Sequence, residues 1–166
     1  TFWNKKFIKT STPTIAGKSR IEKEFFKGTM EEWCVECPSC GAWQPYSFRR
    51  VDFGSVSMCC EGCDELIPEM DWKESRHKWV AGHPERKRHR SFHLNELASP
   101  WVCWQEIINE YRDAIDEYKR LHDTERLQTF INTTLGETWE EERLAKKTAS
   151  EDELLGRAEN YHADLP

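Results

Sequence analysis

The apolar positions fall into three stretches of different period. Phe2 to Ser11 reads as a short strand closed by the turn Ser11-Thr12-Pro13-Thr14. Ser19 with Glu22 three residues on has capping-box spacing and predicts a short helix carrying Ile21, Phe25 and Phe26. Between residues 31 and 80 the pattern shortens. Trp33, Trp43, Tyr46 and Phe48 flank one cysteine turn, Val56, Met58, Leu66 and Ile67 flank a second, and Trp72 and Trp79 follow as packing residues. From Ser99-Pro100, a serine N-cap with proline at the first helical position, a longer helix is predicted. Trp104, Ile107, Ile108, Tyr111, Ile115, Tyr118 and Leu121 form its apolar face, with Glu106, Glu110, Asp113 and Glu117 opposite. Asp123 caps a second helix that buries Leu127, Phe130 and Ile131 and stops at Gly136. Ser150 with Glu153 starts a third.

Composition adds a constraint on stability. Of 166 residues 33% are charged, against about 25% in a typical domain, so the core is lean. Eight Trp and eight Phe still exclude a disordered chain. Structural zinc contributes roughly 10–16 kcal/mol and whole domains are stable by about 5–15 kcal/mol, so one metal would decide whether such a lobe folds. The net charge of −6 is uneven: residues 1–50 carry +4, residues 51–90 carry −1, and residues 91–166 carry −9. A nucleic-acid surface is therefore expected in the first half. There is no membrane-spanning run and no signal peptide, and seven cysteines at metal spacing point to a reducing cytosol. The start, without Met and on a strand entered midway, is read as belonging to a longer chain.

Cys37-Pro38-Ser39-Cys40-Gly41 and Cys60-Glu61-Gly62-Cys63 are the motifs that carry chemistry. Two residues between paired cysteines let one tight turn present both sulfurs to a single ion, and zinc takes four thiolates as a tetrahedron. Gly41 permits the left-handed backbone such a turn needs, and Gly62 is expected to relax the second turn. The alternatives are disulfides or unpaired thiols. Cys34 stands at the same spacing from Cys37, and Cys59 adjoins Cys60. The register from Cys37 is preferred because only it has Pro38 and Gly41 in the turn. Cys34, Cys59 and Cys103 read as small apolar residues.

Other candidates are weaker. Ala16-Gly17-Lys18-Ser19 resembles the end of a phosphate-binding loop, but Thr12 stands where that loop needs glycine. Arg86, Lys87, Arg88 and Arg90 make the densest positive cluster, readable as a solvated loop or as contacts to nucleic-acid phosphates. His89 and His93 are four apart without the acidic partner of a zinc protease, and all six histidines read as surface or packing residues. Glu137, Glu140, Glu141 and Glu142 read as a solvated face rather than a two-metal site.

Several segments in order resemble the large subunit of lambda-type phage terminases. They are Ser11-Thr12-Pro13-Thr14-Ile15, Ser19-Arg20-Ile21-Glu22, Cys37-Pro38-x-Cys40-Gly41, Phe92-His93-x-Asn95-x-Leu97-x-Ser99-Pro100-Trp101, and the run from Phe130 to Glu140. The resemblance implies a viral motor that packages double-stranded DNA with ATP and cuts it, working with a small subunit and a portal in the host cytoplasm. It implies that this segment lies between an ATPase and a nuclease domain, with the phosphate-binding loop, the Mg-binding strand and the nuclease carboxylates outside it. ATP and Mg would then act in the parent protein only. Ser11 and Thr12 look similar to the small-polar motif that couples such an ATPase to its nucleotide.

The combined expectation is an α+β fold. Residues 1–30 would form the edge of an ATPase domain, 31–82 a zinc-ribbon lobe, and 83–166 a basic loop and helical linker. Zinc on Cys37, Cys40, Cys60 and Cys63 would be structural, and no catalytic residue is expected in this segment, whose parent would be an ATPase and endonuclease. The alternative is a free-standing zinc ribbon that binds nucleic acid or protein.

Overall fold

A computed structural model describes residue 3 and residues 5–140. In chain order the elements are helix α1 (Arg20–Lys27), strands β1 (Glu31–Glu36), β2 (Trp43–Pro45), β3 (Val51–Asp52), β4 (Ser57–Cys59) and β5 (Leu66–Pro68), helix α2 (Glu69–Glu74), strands β6 (His77–Ala81) and β7 (Phe92–His93), and helices α3 (Trp104–Leu121) and α4 (Glu125–Thr133). The fold is mixed α and β, with two small sheets.

In the first sheet β1 is central. β6 runs antiparallel along one side of it, with Trp33 opposite Trp79. On the other side β2 pairs antiparallel with Cys34 to Glu36, and β7 pairs parallel with Glu31 and Glu32. The second sheet is the antiparallel set β3, β4 and β5, with Met58 between Val51 and Ile67. One cluster of buried side chains joins both sheets to the helices: Val35, Met58, Ile67, Trp72, Leu97, Trp104, Ile107, Ile108 and Phe130 all belong to it. Phe48 closes it, with ring centroids 5.1 Å from Tyr111 and 5.2 Å from Phe130. The cysteine lobe and the helical pair thus share a core.

Several expectations change. The strand expected over Phe2 to Ser11 does not form across residues 5–10, and Phe7 and Ile8 stand exposed. A strand needs a neighbour to complete its hydrogen bonds, and no described strand pairs with this segment, whose Lys9 instead bonds Glu24 of α1. Helix α1 buries no residue; Phe26 is exposed, and Ile21 and Phe25 are half-buried. Its capping box also differs. The Ser19 hydroxyl accepts from the Thr14 N–H and the Glu22 carboxylate accepts from the Gly17 N–H, because the chain curls back and brings those donors nearer than the first turn of the helix. Trp79 lies at the surface while Trp72 is fully buried.

Helix α3 starts at Trp104 and not at Ser99-Pro100. Ser99 uses its hydroxyl on the Trp101 N–H, inside a turn. The cap comes from elsewhere: the Trp104 N–H donates to Glu69 Oε2 of α2 at 2.9 Å. Lys73 Nζ completes the joint, 2.6 Å from Glu69 Oε1 and 2.7 Å from the Val102 carbonyl. A carboxylate at a helix N-terminus is favoured by the orphan N–H groups and the dipole. Ala114 is buried on α3 where Leu121 is exposed. Asp123 does supply the oxygen that meets the Glu125 N–H, and Gly136, at φ 65°, lets the Glu137 N–H reach the Ile131 carbonyl. The helix expected from Ser150 lies outside the described residues.

Candidate metal centre

The two cysteine turns are built alike. In the first, between β1 and β2, the Cys37 N–H donates to the Ala42 carbonyl and the Gly41 N–H to the Cys37 carbonyl. In the second, between β4 and β5, the Cys60 N–H donates to the Glu65 carbonyl and the Asp64 N–H to the Cys60 carbonyl. Each turn needs a left-handed residue directly after its second cysteine. Gly41 takes φ 75° and Asp64 takes φ 56°; aspartate is among the few other residues that tolerate this region. Gly62 therefore does not relax the second turn as expected. Its role is steric: a Cβ there would lie 2.9 Å from Ala42 Cβ and 3.3 Å from Cys40 Sγ. Glycine lets the second turn settle against the first.

That contact brings four sulfurs together. Cys37 Sγ is 3.9 Å from Cys63 Sγ and Cys40 Sγ is 3.7 Å from Cys60 Sγ, and all four lie within 4.8 Å of one another. Thiolates about 2.3 Å from a shared ion stand roughly 3.8 Å apart at the corners of a tetrahedron. Disulfide sulfurs would be about 2.05 Å apart, and all seven cysteines are free. The donor set fits a four-coordinate soft-metal site and can hold such an ion. Burial works against charge on Cys60, but the N–H groups of Gly62 and Cys63 aimed at its sulfur outweigh it and hold this thiol down to about 7. Burial pushes the Cys37 thiol up. Metal binding must release the protons these thiols hold, so affinity at this site depends on pH.

The surroundings stiffen the turns. Arg50 Nε donates to the Cys59 carbonyl at 2.8 Å, and its Nη2 reaches the Cys60 carbonyl. The side-chain carbonyl of buried Gln44 accepts the Glu61 N–H at 2.7 Å. Sequence reasoning missed Arg50 and Gln44, whose partners are set by the fold. It could have found Asp64 from its offset, which matches that of Gly41. Cys34 is buried beside β6 and Cys103 is exposed ahead of α3; neither joins the cluster. Cys59 contacts the Asp64 carbonyl at 3.4 Å, outside the set.

Residues 1–81 match the ATPase domain of the phage terminase large subunit gpA, and residues 89–166 match the endonuclease domain of the same protein. The chain is 28% identical to the terminase large subunits of Enterobacteria phage P21 and of Escherichia phage lambda, over 97% of its own length. This chain belongs to the lambda-type terminase large subunit family. The terminase segment spans 28% of the length of those two relatives. No solved structure matches it.

In the terminase segment, Ala16 to Ser19 form no phosphate cradle, because every N–H there is engaged. Ala16 donates to the Trp139 carbonyl, Lys18 and Ser19 to the Ile15 carbonyl, and Gly17 to Glu22. Ser11 and Thr12 are exposed and line a groove of about 680 Å³ with Ile21, Phe25, Arg49 and His93. The basic cluster is divided. Arg86 Nη1 donates to the Phe26 carbonyl at 2.7 Å, and Arg90 forks onto Glu31 at 2.8 and 2.7 Å. Lys87 and Arg88 are exposed and have no ion partner among the described residues. His77 bonds the Tyr46 hydroxyl at 2.8 Å, and His93 is held at both ring nitrogens. Among the described residues no helix is long and apolar enough to cross a membrane. Glu141, Glu142 and His162 lie outside the described residues.

Proposed function

We infer that this chain is a zinc-stapled connector in a DNA-packaging terminase large subunit. One observation supports this above the rest. An ATPase match and a nuclease match meet within one chain, and four clustered cysteines fasten the two sheets of its first half. Residues 1–30 belong to the edge of the ATPase body, 31–82 form a zinc-ribbon lobe, and 83–166 lead to the nuclease. Zinc on Cys37, Cys40, Cys60 and Cys63 is structural, because four thiolates leave no coordination position for substrate. Its work is to keep the connector stiff, so that a motor stroke moves DNA instead of deforming the joint.

The parent protein hydrolyses ATP with Mg, translocates double-stranded DNA into a procapsid with the small subunit and portal, and cuts it, in the host cytoplasm. Ser11 and Thr12 are the coupling motif toward the nucleotide. Lys87 and Arg88 meet DNA phosphates, while Arg86 and Arg90 hold their loop in shape. The segment by itself neither hydrolyses ATP nor cleaves DNA; the full-length chain does both.

Metal analysis by mass spectrometry on the purified chain, before and after chelator, tests the zinc role. One zinc per chain is expected, lost in Cys37→Ser together with the fold of the cysteine lobe. Full zinc occupancy and unchanged folding in that variant would sink it. The exposure of Lys87 and Arg88 favours a second reading, a free-standing zinc ribbon that grips nucleic acid. It predicts tight DNA binding by the isolated chain at physiological salt, which the connector reading does not require.

A further inference from the structure

His93 faces two acceptors at once. Its Nδ1 lies 2.7 Å from Glu32 Oε2 on β1, and its Nε2 lies 3.0 Å from the Leu135 carbonyl at the end of α4. A neutral imidazole carries one N–H and one lone pair. In that form one nitrogen would present a lone pair to an oxygen lone pair, whichever tautomer it took. Only the imidazolium, with two N–H groups, satisfies both oxygens.

The surroundings hold the ring in this place. The Phe25 ring of α1 stands edge-on to it, with centroids 6.3 Å apart. Gly136 presses against it from the other side: a Cβ at Gly136 would lie 3.1 Å from His93 Nε2 and 3.0 Å from the Leu94 carbonyl. The charged groups around His93 are Glu32 from β1 and Glu137 from the segment after α4, with Glu22 of α1 and Arg49 along the same groove. Burial opposes charge on the ring, but Glu32, the Leu135 carbonyl and Glu137 outweigh it and raise its pKa above the ordinary histidine value. Glu32 lies in the ATPase-matched half, and His93 and Leu135 lie in the nuclease-matched half.

We propose that His93 is a proton-operated latch between the two halves: as imidazolium it ties the end of α4 to β1, and as neutral imidazole it keeps only one of those two contacts. Losing the proton frees the Leu135–Gly136 turn or the Glu32 carboxylate. Either release alters the wall of the groove that Ser11, Thr12, Gly136 and Thr138 share. The latch is independent of metal at the cysteines, which lie on other turns.

Long-range proton–nitrogen NMR on the 166-residue chain labelled at histidine nitrogen tests this over about pH 5.5 to 8.5. The expected result is a doubly protonated His93 that titrates above the usual value of about 6.5, with the Gly136 and Glu137 amide signals moving on the same curve. Glu32→Gln is expected to bring the midpoint down to the ordinary value or below it. The proposal falls if the unaltered chain shows His93 as a single neutral tautomer at pH values below about 6.5. It falls equally if the ring titrates while both amides stay still. The unaltered chain decides both points, so a Glu32→Gln chain that failed to fold would not blunt the test.

Discussion

Gly41 and Asp64 occupy the same place in two copies of one turn, each left-handed and each donating its N–H to the carbonyl of the first cysteine of its pair. A side chain in this conformation costs roughly 1–2 kcal/mol for an ordinary residue. Gly41→Ala should therefore destabilise the chain by about 1 kcal/mol, and Asp64→Gly by far less. Urea unfolding of the metal-loaded chain measures both; equal losses would contradict the equivalence of the turns.

Gly62 has a different prediction, because its constraint is space. In Gly62→Ala the new methyl would meet Ala42 Cβ at 2.9 Å and Cys40 Sγ at 3.3 Å. Overpacking of this kind costs about 1–3 kcal/mol. The turns should separate and metal affinity should drop, read by competition with a chromogenic chelator. Unchanged affinity would show that the turns have room to spare.

Glu69 caps α3 and pairs with Lys73, and both side chains are largely buried, at 15% and 12% exposure. Glu69→Ala would strip the cap from Trp104 and leave the Lys73 ammonium without its counter-charge, a change worth about 3 kcal/mol or more. Glu69→Gln keeps an acceptor for the Trp104 N–H and should lose less. Denaturant midpoints order the three proteins; a Glu69→Ala midpoint equal to the parent's would remove α2 from the support of α3.

Acid sensitivity should centre on Glu31. The two N–H groups of Arg90 hold its carboxyl below the usual range, against the pull of burial. The folded value is depressed, so the contribution is fully present above the unfolded pKa of about 4.3 and is lost as pH falls through the folded value. Acid unfolding of Glu31→Gln should begin from lower stability and show a flatter limb in that window. Parallel limbs would mean that another carboxylate governs acid unfolding.

The cations of the 86–90 loop should separate by role. Lys87→Ala with Arg88→Ala should weaken DNA binding and reduce the salt slope by about 2, near 0.9 per phosphate. Arg86→Ala and Arg90→Ala should instead lower stability, since those side chains bond Phe26 and Glu31. Filter binding across a salt series, alongside melting curves, distinguishes the two pairs.

Local chemistry was legible in the sequence, and long-range chemistry was not. The spacing of Cys37, Cys40, Cys60 and Cys63 marked the cluster because a two-residue gap fixes a turn by itself. The apolar period from Trp104 to Tyr118 marked α3 for the same reason. The start of α3 was misplaced because its cap is Glu69, 35 residues away. The strand at Phe7 and Ile8 was misread because a strand is defined by its neighbour. The basic cluster looked uniform in sequence, yet Arg90 is tied down by Glu31, 59 residues earlier, while staying exposed itself. Ala114 was overlooked because a small residue adds little to a periodic apolar signal.

The side-by-side course of β7 and β1 has a mechanical result. Both strands run the same way, so tension applied between the residues before Glu31 and those after His93 drags one along the other. The backbone bonds from Glu31 to Ser91 and across the ladder are then strained together, where an unzipping geometry would snap them in turn. A joint loaded in shear yields late and abruptly.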